Sequence, residues 1–543
     1  MKMMFIYANS GNSNNLLIWT KSLKPSDVNR KNILGMTPLH IASNYETAMQ
    51  WLIENGAKKN KSKPQIFPLH QAIWIGHKKF VQALLATTLG INNLNDALTN
   101  EATTPLCIAV NEGYTDIVQL LIDAGAQVNY KSYWDRETPL HIALKKDHAD
   151  IVQLLITHGA KVRKYQEFEM PLYLALEYGS IKTVQLLLGA DVNQVIDNSV
   201  ADTPLEVASR YGHAETVRLL IDRGADVNLT TISKGASDAW TPLNGALQNG
   251  HFEVVQLLLN AGADINRATK LSKDTPLYYA AREGRTEVVR FLLNAKADIH
   301  QAANDGCTSL MIASDQDHIE VVRLLLTAGA DVNQAANDGW APLLVASEKG
   351  HTQVVQLLLN ASADINQATN DGCTALMIAS QNGHIEIVRL LITAEIKVNK
   401  ANNNNATSLL AASYNGHADV AQLLINAQAD VNLANILGWT PLFAASYNSH
   451  TEVVRLLLNA GADINQPINE GWTPLCAASY NGNDKIVKLL LDNGANIHDA
   501  LTADSPIEPL IKKGDTALEI AHKKGHAQIA ELIEEYMQHE KKV

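Results

Sequence analysis

Residues 241–266 read TPLNGALQNGHFEVVQLLLNAGADIN, and the order of residue types in this stretch decides the fold. Thr241 before Pro242 is an N-cap followed by proline at the first helical position, where a missing N–H costs nothing. Leu243 and Ala246 give a short first helix with a slim inner face. Gly250-His251 turns the chain. Val254, Val255, Leu257, Leu258 and Leu259 then supply the apolar stripe of a second helix. Gly262 stands where a left-handed C-cap is wanted, and Asp264-Ile265-Asn266 opens a hairpin-like loop.

A helix pair this short cannot bury its stripe alone, so neighbours must do it, and the chain supplies them. TPLHIA begins at Thr37, TPLCIA at Thr104, TPLHIA at Thr138, TPLEVA at Thr203 and TPLYYA at Thr275. TSLMIA, TALMIA, TSLLAA, TPLFAA and TPLCAA follow at Thr308, Thr374, Thr407, Thr440 and Thr473, and TALEIA at Thr516 closes the series. Looser copies fill the gaps, among them FPLHQA at Phe67, MPLYLA at Met170 and APLLVA at Ala341.

TPLH followed by GHxEVVxLLLxxGADVN at a period of 33 resembles the ankyrin repeat, over essentially the whole chain. The resemblance implies an all-α solenoid of about 15 helix-turn-helix units joined by hairpin loops. It divides the chain into a degenerate N-terminal capping repeat at 1–33, an array at 34–512 and a C-terminal capping repeat at 513–543. Loops lengthen at 86–103, 229–240 and 497–515. The third gains ten residues, on the side of a repeat where insertions often serve binding.

Of 543 residues 46% are hydrophobic and 18% charged, as in folded proteins, and the net charge is −12. Nucleic acid is therefore not the expected partner, since phosphate binding needs a basic surface. One local exception is the stretch 21–80, where Lys58, Lys59, Lys61 and Lys63 contribute to a basic patch, read as a solvated terminal face. The start, MKMMFIYANSGN, is not read as a signal peptide, and no run approaches the 18 apolar residues of a membrane span.

Cys107, Cys307, Cys373 and Cys476 fall at repeat-equivalent places without a CxxC, which argues for packing in a reducing compartment rather than for disulfides. Phosphate-loop, HExxH and GxSxG signatures are missing. His318-Ile-Glu320 and its copies lack the PCxxC of zinc deaminases, so these turn histidines are read as structural hydrogen-bonders. No catalytic residue, metal or cofactor is expected.

The resemblance implies protein binding through the concave face, made of hairpin tips and first helices. The family's variable contact positions fall here on residues such as Asn304, Asp305, Asn337, Asp338 and Trp340. In AASYNGH (411–417), AASYNSH (444–450) and AASYNGN (477–483) they place Tyr414, Tyr447 and Tyr480 at the ends of three successive first helices, with Trp439 and Trp472 on neighbouring hairpins. A strict period stacks equivalent side chains in register. Trp340, Tyr414, Trp439, Tyr447, Trp472 and Tyr480 are accordingly the candidate partner-binding residues, the last five as one contiguous exposed aromatic strip. The acidic, Asn-rich surroundings favour a basic and apolar partner protein.

The expected molecule is a cytoplasmic, monomeric, non-enzymatic scaffold. The alternative is a recognition subunit delivering a partner to a separate enzyme. The tail AELIEEYMQHEKKV reads as a polar capping helix; it also resembles the glutamate-rich secretion signals of Legionella-type ankyrin effectors, which would imply translocation into a host cell.

One seam stands out. TAEIKVNKANNNNA (393–406) has Glu395 for the C-cap glycine and Asn405 for the hairpin glycine, and is expected to be the softest interior interface.

Overall fold

The computed structural model describes residues 13–30, 37–42, 46–55, 57, 68–86, 94–97, 103–131, 137–162, 171–189, 191–194, 202–232, 239–505 and 508–540. They divide into two compact units, 1–264 and 265–543. Each is a run of antiparallel helix pairs, seven in the first unit and eight in the second, and the first unit also holds helix Ser13–Lys21. Much of the N-terminal basic patch, including Lys58, Lys59, Lys61 and Lys63, lies outside the described residues, as does most of the loop at 86–103.

In the first unit the pair Pro242–Asn249 and Phe252–Asn260 forms as the residues demand. Thr241 Oγ1 accepts the N–H of Asn244 at 3.2 Å. Gly250 and Gly262 are left-handed, with φ of 75° and 90°. Beyond Asn260 the N–H of Ala263 donates to Leu258 O (2.9 Å) and that of Gly262 to Leu259 O (3.1 Å), a Schellman end. The stripe is narrower than expected. Val254, Val255 and Leu258 are buried, whereas Leu257 and Leu259 are half-exposed flanks of the same face. Helix Ser13–Lys21 packs beside helix Glu46–Glu54 with Leu16 and Thr20 buried, where the second helix of a worn repeat belongs. Thr231–Ile232 pairs antiparallel with Ala239–Trp240 and closes one of the lengthened loops, whose residues 233–238 lie outside the described set.

The second unit keeps the 33-residue step until its last hairpin. The core is the first-helix alanines and leucines against the Val-Val-x-x-x-Leu face of the second helices, as in Leu442, Ala445, Val453, Val454 and Leu457. Turn histidines tie pair to pair: Nε2–H of His318, His384 and His450 donates to the carbonyls of Arg282, Glu348 and Tyr414 at 2.9, 2.9 and 3.1 Å. These histidines are scaffold. At 483 asparagine replaces the histidine, and Asn481 takes over the link through a 2.6 Å bond to Tyr447 O. In the first unit His141 instead caps its own helix, Nδ1 lying 2.7 Å from Thr138 Oγ1.

Candidate functional site

The hairpins of the second unit form a ladder. Within each, one pair of residues closes the turn: Ala336 with Trp340, Asn435 with Trp439, Ile468 with Trp472. Between them, the N–H of Asn337 donates to Asp305 O (2.9 Å), that of Ile436 to Asn404 O (3.0 Å) and that of Thr502 to Glu470 O (3.0 Å). Side-chain amides reinforce it, Asn337 on Asn304 O, Asn370 on Asn337 O and Asn403 on Asn370 O, each at 3.0 Å.

This ladder frees the tips to vary. In hairpin 336–340 the tip aspartate is needed, because Asp338 Oδ1 accepts the N–H of Trp340 at 3.1 Å. In hairpin 435–439 that task moves inward. Asn435 Oδ1 accepts both Leu437 N–H (3.0 Å) and Trp439 N–H (2.9 Å). The tip can then be apolar, and Ile436 and Leu437 stand 55% and 53% exposed.

The aromatic residues beneath this tip are linked. Ring centroids lie 6.0 Å apart for Tyr414–Trp439, 5.3 Å for Trp439–Tyr447, 6.4 Å for Tyr447–Tyr480 and 5.4 Å for Trp472–Tyr480. The expected contiguity is present, but the expected exposure is not. Tyr414 is exposed at 48%, Trp439, Tyr447 and Tyr480 are half-buried, and Trp472 is buried at 7%. Rings in register cover one another, and Trp472 has Tyr480 edge-on beside it. Burial raises the Tyr447 phenol above its ordinary value, with Tyr480 and Tyr414 adding to the effect. Trp340 stands apart. It is half-buried three repeats before Trp439, with Cys373 and Ala406 at the equivalent positions between them.

Two pockets flank the Leu437–Trp439 wall. One, of about 290 Å³, is lined by Trp439, Phe443, Tyr447, Trp472 and Tyr480, with Leu437, Ile468, Glu470 and Ser505 around them. The other, of about 410 Å³, includes Gln381, Leu410, Tyr414, Asn435 and Trp439. Phe443, Ile436, Leu437 and Glu470 were not among the expected site residues. Aligning tips would have found two of them, since Asn-Asp-Gly at 304–306, 337–339 and 370–372 becomes Ile-Leu-Gly at 436–438.

The ten-residue insertion is an expanded hairpin. Leu501 N–H donates to Asp515 O (2.9 Å) where Ile468 pairs with Trp472 elsewhere. Its Ser505 reaches the first pocket, and its Glu508 holds Lys524 at 3.2 Å. The Lys524 ammonium lies 4.5 Å from the centre of the Tyr480 ring.

The four cysteines are free thiols. Burial pushes Cys107 and Cys476 up and takes Cys307 to about 12, so these three are not thiolates at neutral pH. Among the described residues no group of three or more His, Cys, Asp or Glu could hold a metal, and no helix is long and apolar enough to cross a membrane.

The family model described as ankyrin repeats (3 copies) matches at 4–95, 69–166, 161–231, 243–336, 310–402, 343–435, 408–501 and 466–542. The chain belongs to the ankyrin-repeat family. A second model, ankyrin repeats (many copies), matches 205–259. The chain is also 35% identical over 114 residues to the human transient receptor potential cation channel subfamily A member 1, covering 19% of this chain and 10% of that protein. It is 34% identical over 109 residues to the probable 26S proteasome regulatory subunit p28 of Saccharomyces cerevisiae, covering 20% of this chain and 46% of that protein. The matched parts are thus less than half the length of either relative. Ankyrin repeats are protein-interaction scaffolds and are generally non-enzymatic.

Proposed function

We propose that this ankyrin-repeat chain is a binding scaffold that works inside a cell and holds a partner protein, or an extended segment of one, on the face built from first-helix ends and hairpin tips. The contact lies between Tyr414 and the insertion after Leu501. One observation carries the reading: the apolar tip Ile436-Leu437 stands beside a linked row of aromatic rings with a pocket on either side. Rigid aromatic side chains give large contact area at low entropic cost, and exposed apolar tips beside them are what a partner would cover. Residues 401–510 carry ten acidic and three basic side chains, so a segment with basic and apolar residues fits best.

The test is cross-linking capture from a candidate lysate with the wild-type chain and with Ile436→Asn/Leu437→Asp, which restores the polar tip of the other units. The reading expects specific cross-links at 406–510 that disappear with the polar tip, at unchanged circular dichroism. In a purified complex Trp439→Ala or Tyr447→Ala should each weaken affinity by about 1–2 kcal/mol. Partners captured equally by both chains would overturn it.

A second reading, delivery of the held partner to a separate enzyme, draws on the similarity to a probable proteasome regulatory subunit. Loss of an enzyme from the captured material on removal of residues 1–36 would favour it.

A further inference from the structure

We propose that the pocket between Trp439 and Trp472 is a cage for the methylated ammonium group of a partner protein's lysine. The proposal deepens the partner-binding reading above and rests on it.

The pocket's lining combines two features. Trp439, Phe443, Tyr447, Trp472 and Tyr480 make it aromatic, and Glu470 makes it anionic. Ring faces attract cations, tryptophan most strongly, and quaternary ammonium groups are the cations such sites suit. A plain lysine ammonium is compact and strongly hydrated, and entering an apolar pocket strips its water. Methylation keeps the charge and replaces N–H donors by methyl groups, so the pocket loses nothing by offering few acceptors. Glu470 then supplies the one countercharge.

The pocket, of about 290 Å³, has room for a side-chain head group. One ring of the lining already attracts a cation at the pocket's edge. Lys524 places its ammonium 4.5 Å from the Tyr480 ring centre, with Glu508 as countercharge at 3.2 Å. The surrounding excess of acidic residues in 401–510 draws a basic segment to the same place.

Titration of the intact chain, followed by tryptophan fluorescence, tests this without any partner. The probes are Nα-acetyl-trimethyllysine amide, the corresponding unmodified lysine amide, choline, and 3,3-dimethyl-1-butanol as choline's uncharged isostere. Saturable binding of the trimethyllysine probe at least tenfold tighter than the unmodified one is expected. Glu470→Gln should weaken it about fivefold and Trp439→Ala abolish it, both at unchanged circular dichroism. Equal binding of plain and methylated lysine, an equal response to the uncharged isostere, binding of choline alone, or no saturation with any probe would each overturn the cage. The scaffold reading would survive such a failure if the polar-tip variant still lost its cross-linked partner, so the two can fail separately.

Discussion

Hairpins 336–340 and 435–439 close with the same backbone pair and take their places in the same ladder, yet one presents Asn337 and Asp338 to water and the other Ile436 and Leu437. The difference lies in who satisfies the turn. Asp338 is held to its own hairpin by the Trp340 N–H, whereas Asn435 serves the second turn from below the tip. A repeat scaffold can therefore change its outward chemistry at one hairpin without a change of backbone, because the obligatory hydrogen bonds are met elsewhere.

The largest effect that would sharpen this comparison is at tryptophan. Trp340 and Trp472 occupy equivalent positions, but only Trp472 is buried. Trp472→Ala should cost about 3–5 kcal/mol, as for a core aromatic, while Trp340→Ala should cost about 1 kcal/mol. Native-state hydrogen exchange over 465–500 and 335–360 measures both; equal losses would erase the distinction between the two hairpins. Next comes the tip glycine. Gly438 has φ of 82°, and a Cβ there would meet Ile468 Cα at 2.9 Å. Gly329 has φ of 92° with nothing within 4 Å. Gly438→Ala should cost about 1–3 kcal/mol and Gly329→Ala about 1 kcal/mol, from conformation alone. A Gly438→Ala variant as stable as wild type would show that the ladder is loose at that tip.

The stretch 393–406 against 327–340 gives a smaller contrast. Asn405 is left-handed at φ of 57° where Gly339 stands in the other stretch. Ile396 N–H reaches Leu391 O at 3.4 Å, where its counterpart in 327–340 is 3.0 Å (Ala330 to Leu325), and Lys397 N–H reaches Asn366 Oδ1 at 3.4 Å, where the same bond in the preceding unit is 2.7 Å (Asp364 to Asn333). Amides of 393–406 should exchange about fivefold faster, corresponding to about 1 kcal/mol. Equal protection would remove the seam.

The smallest effect is acid-dependent. Asp504 in the insertion accepts the Lys513 N–H (2.9 Å) and the Lys512 ammonium (3.2 Å), which hold its carboxyl below the ordinary value. A depressed carboxyl stabilises above its unfolded pKa and loses that contribution as pH falls through its folded one. Exchange at 502–514, corrected for intrinsic rate, should therefore speed up only below about pH 4, and Asp504→Asn should flatten the profile. A wild-type profile without that step would sever the link.

The period, the Thr-Pro caps, the turn histidines and the contiguity of the tyrosines were legible because each depends on one unit and a fixed step. Burial of Trp472 was not legible, since it depends on how Tyr480 and the neighbouring hairpins close over that ring. Phe443 reads as core by its place in TPLF, and nothing in the sequence says that it also walls a pocket. Glu395 drew notice as a missing glycine, but Lys296, Ser362 and Gln428 are left-handed at the same place, with φ of 67°, 64° and 63°. What sets the 395 seam apart is Ile396, where the other units carry a small alanine, and the two stretched bonds beside it.

The pair Leu501–Asp515 closes its hairpin as Ile468–Trp472 does, although ten more residues hang beyond it. That closure works as a socket. What is mounted past Leu501, apart from the buried Ile511 that anchors it, can be exchanged or lengthened while Thr502 stays docked on Glu470, so new specificity installs there as a cartridge without retooling the helix pairs.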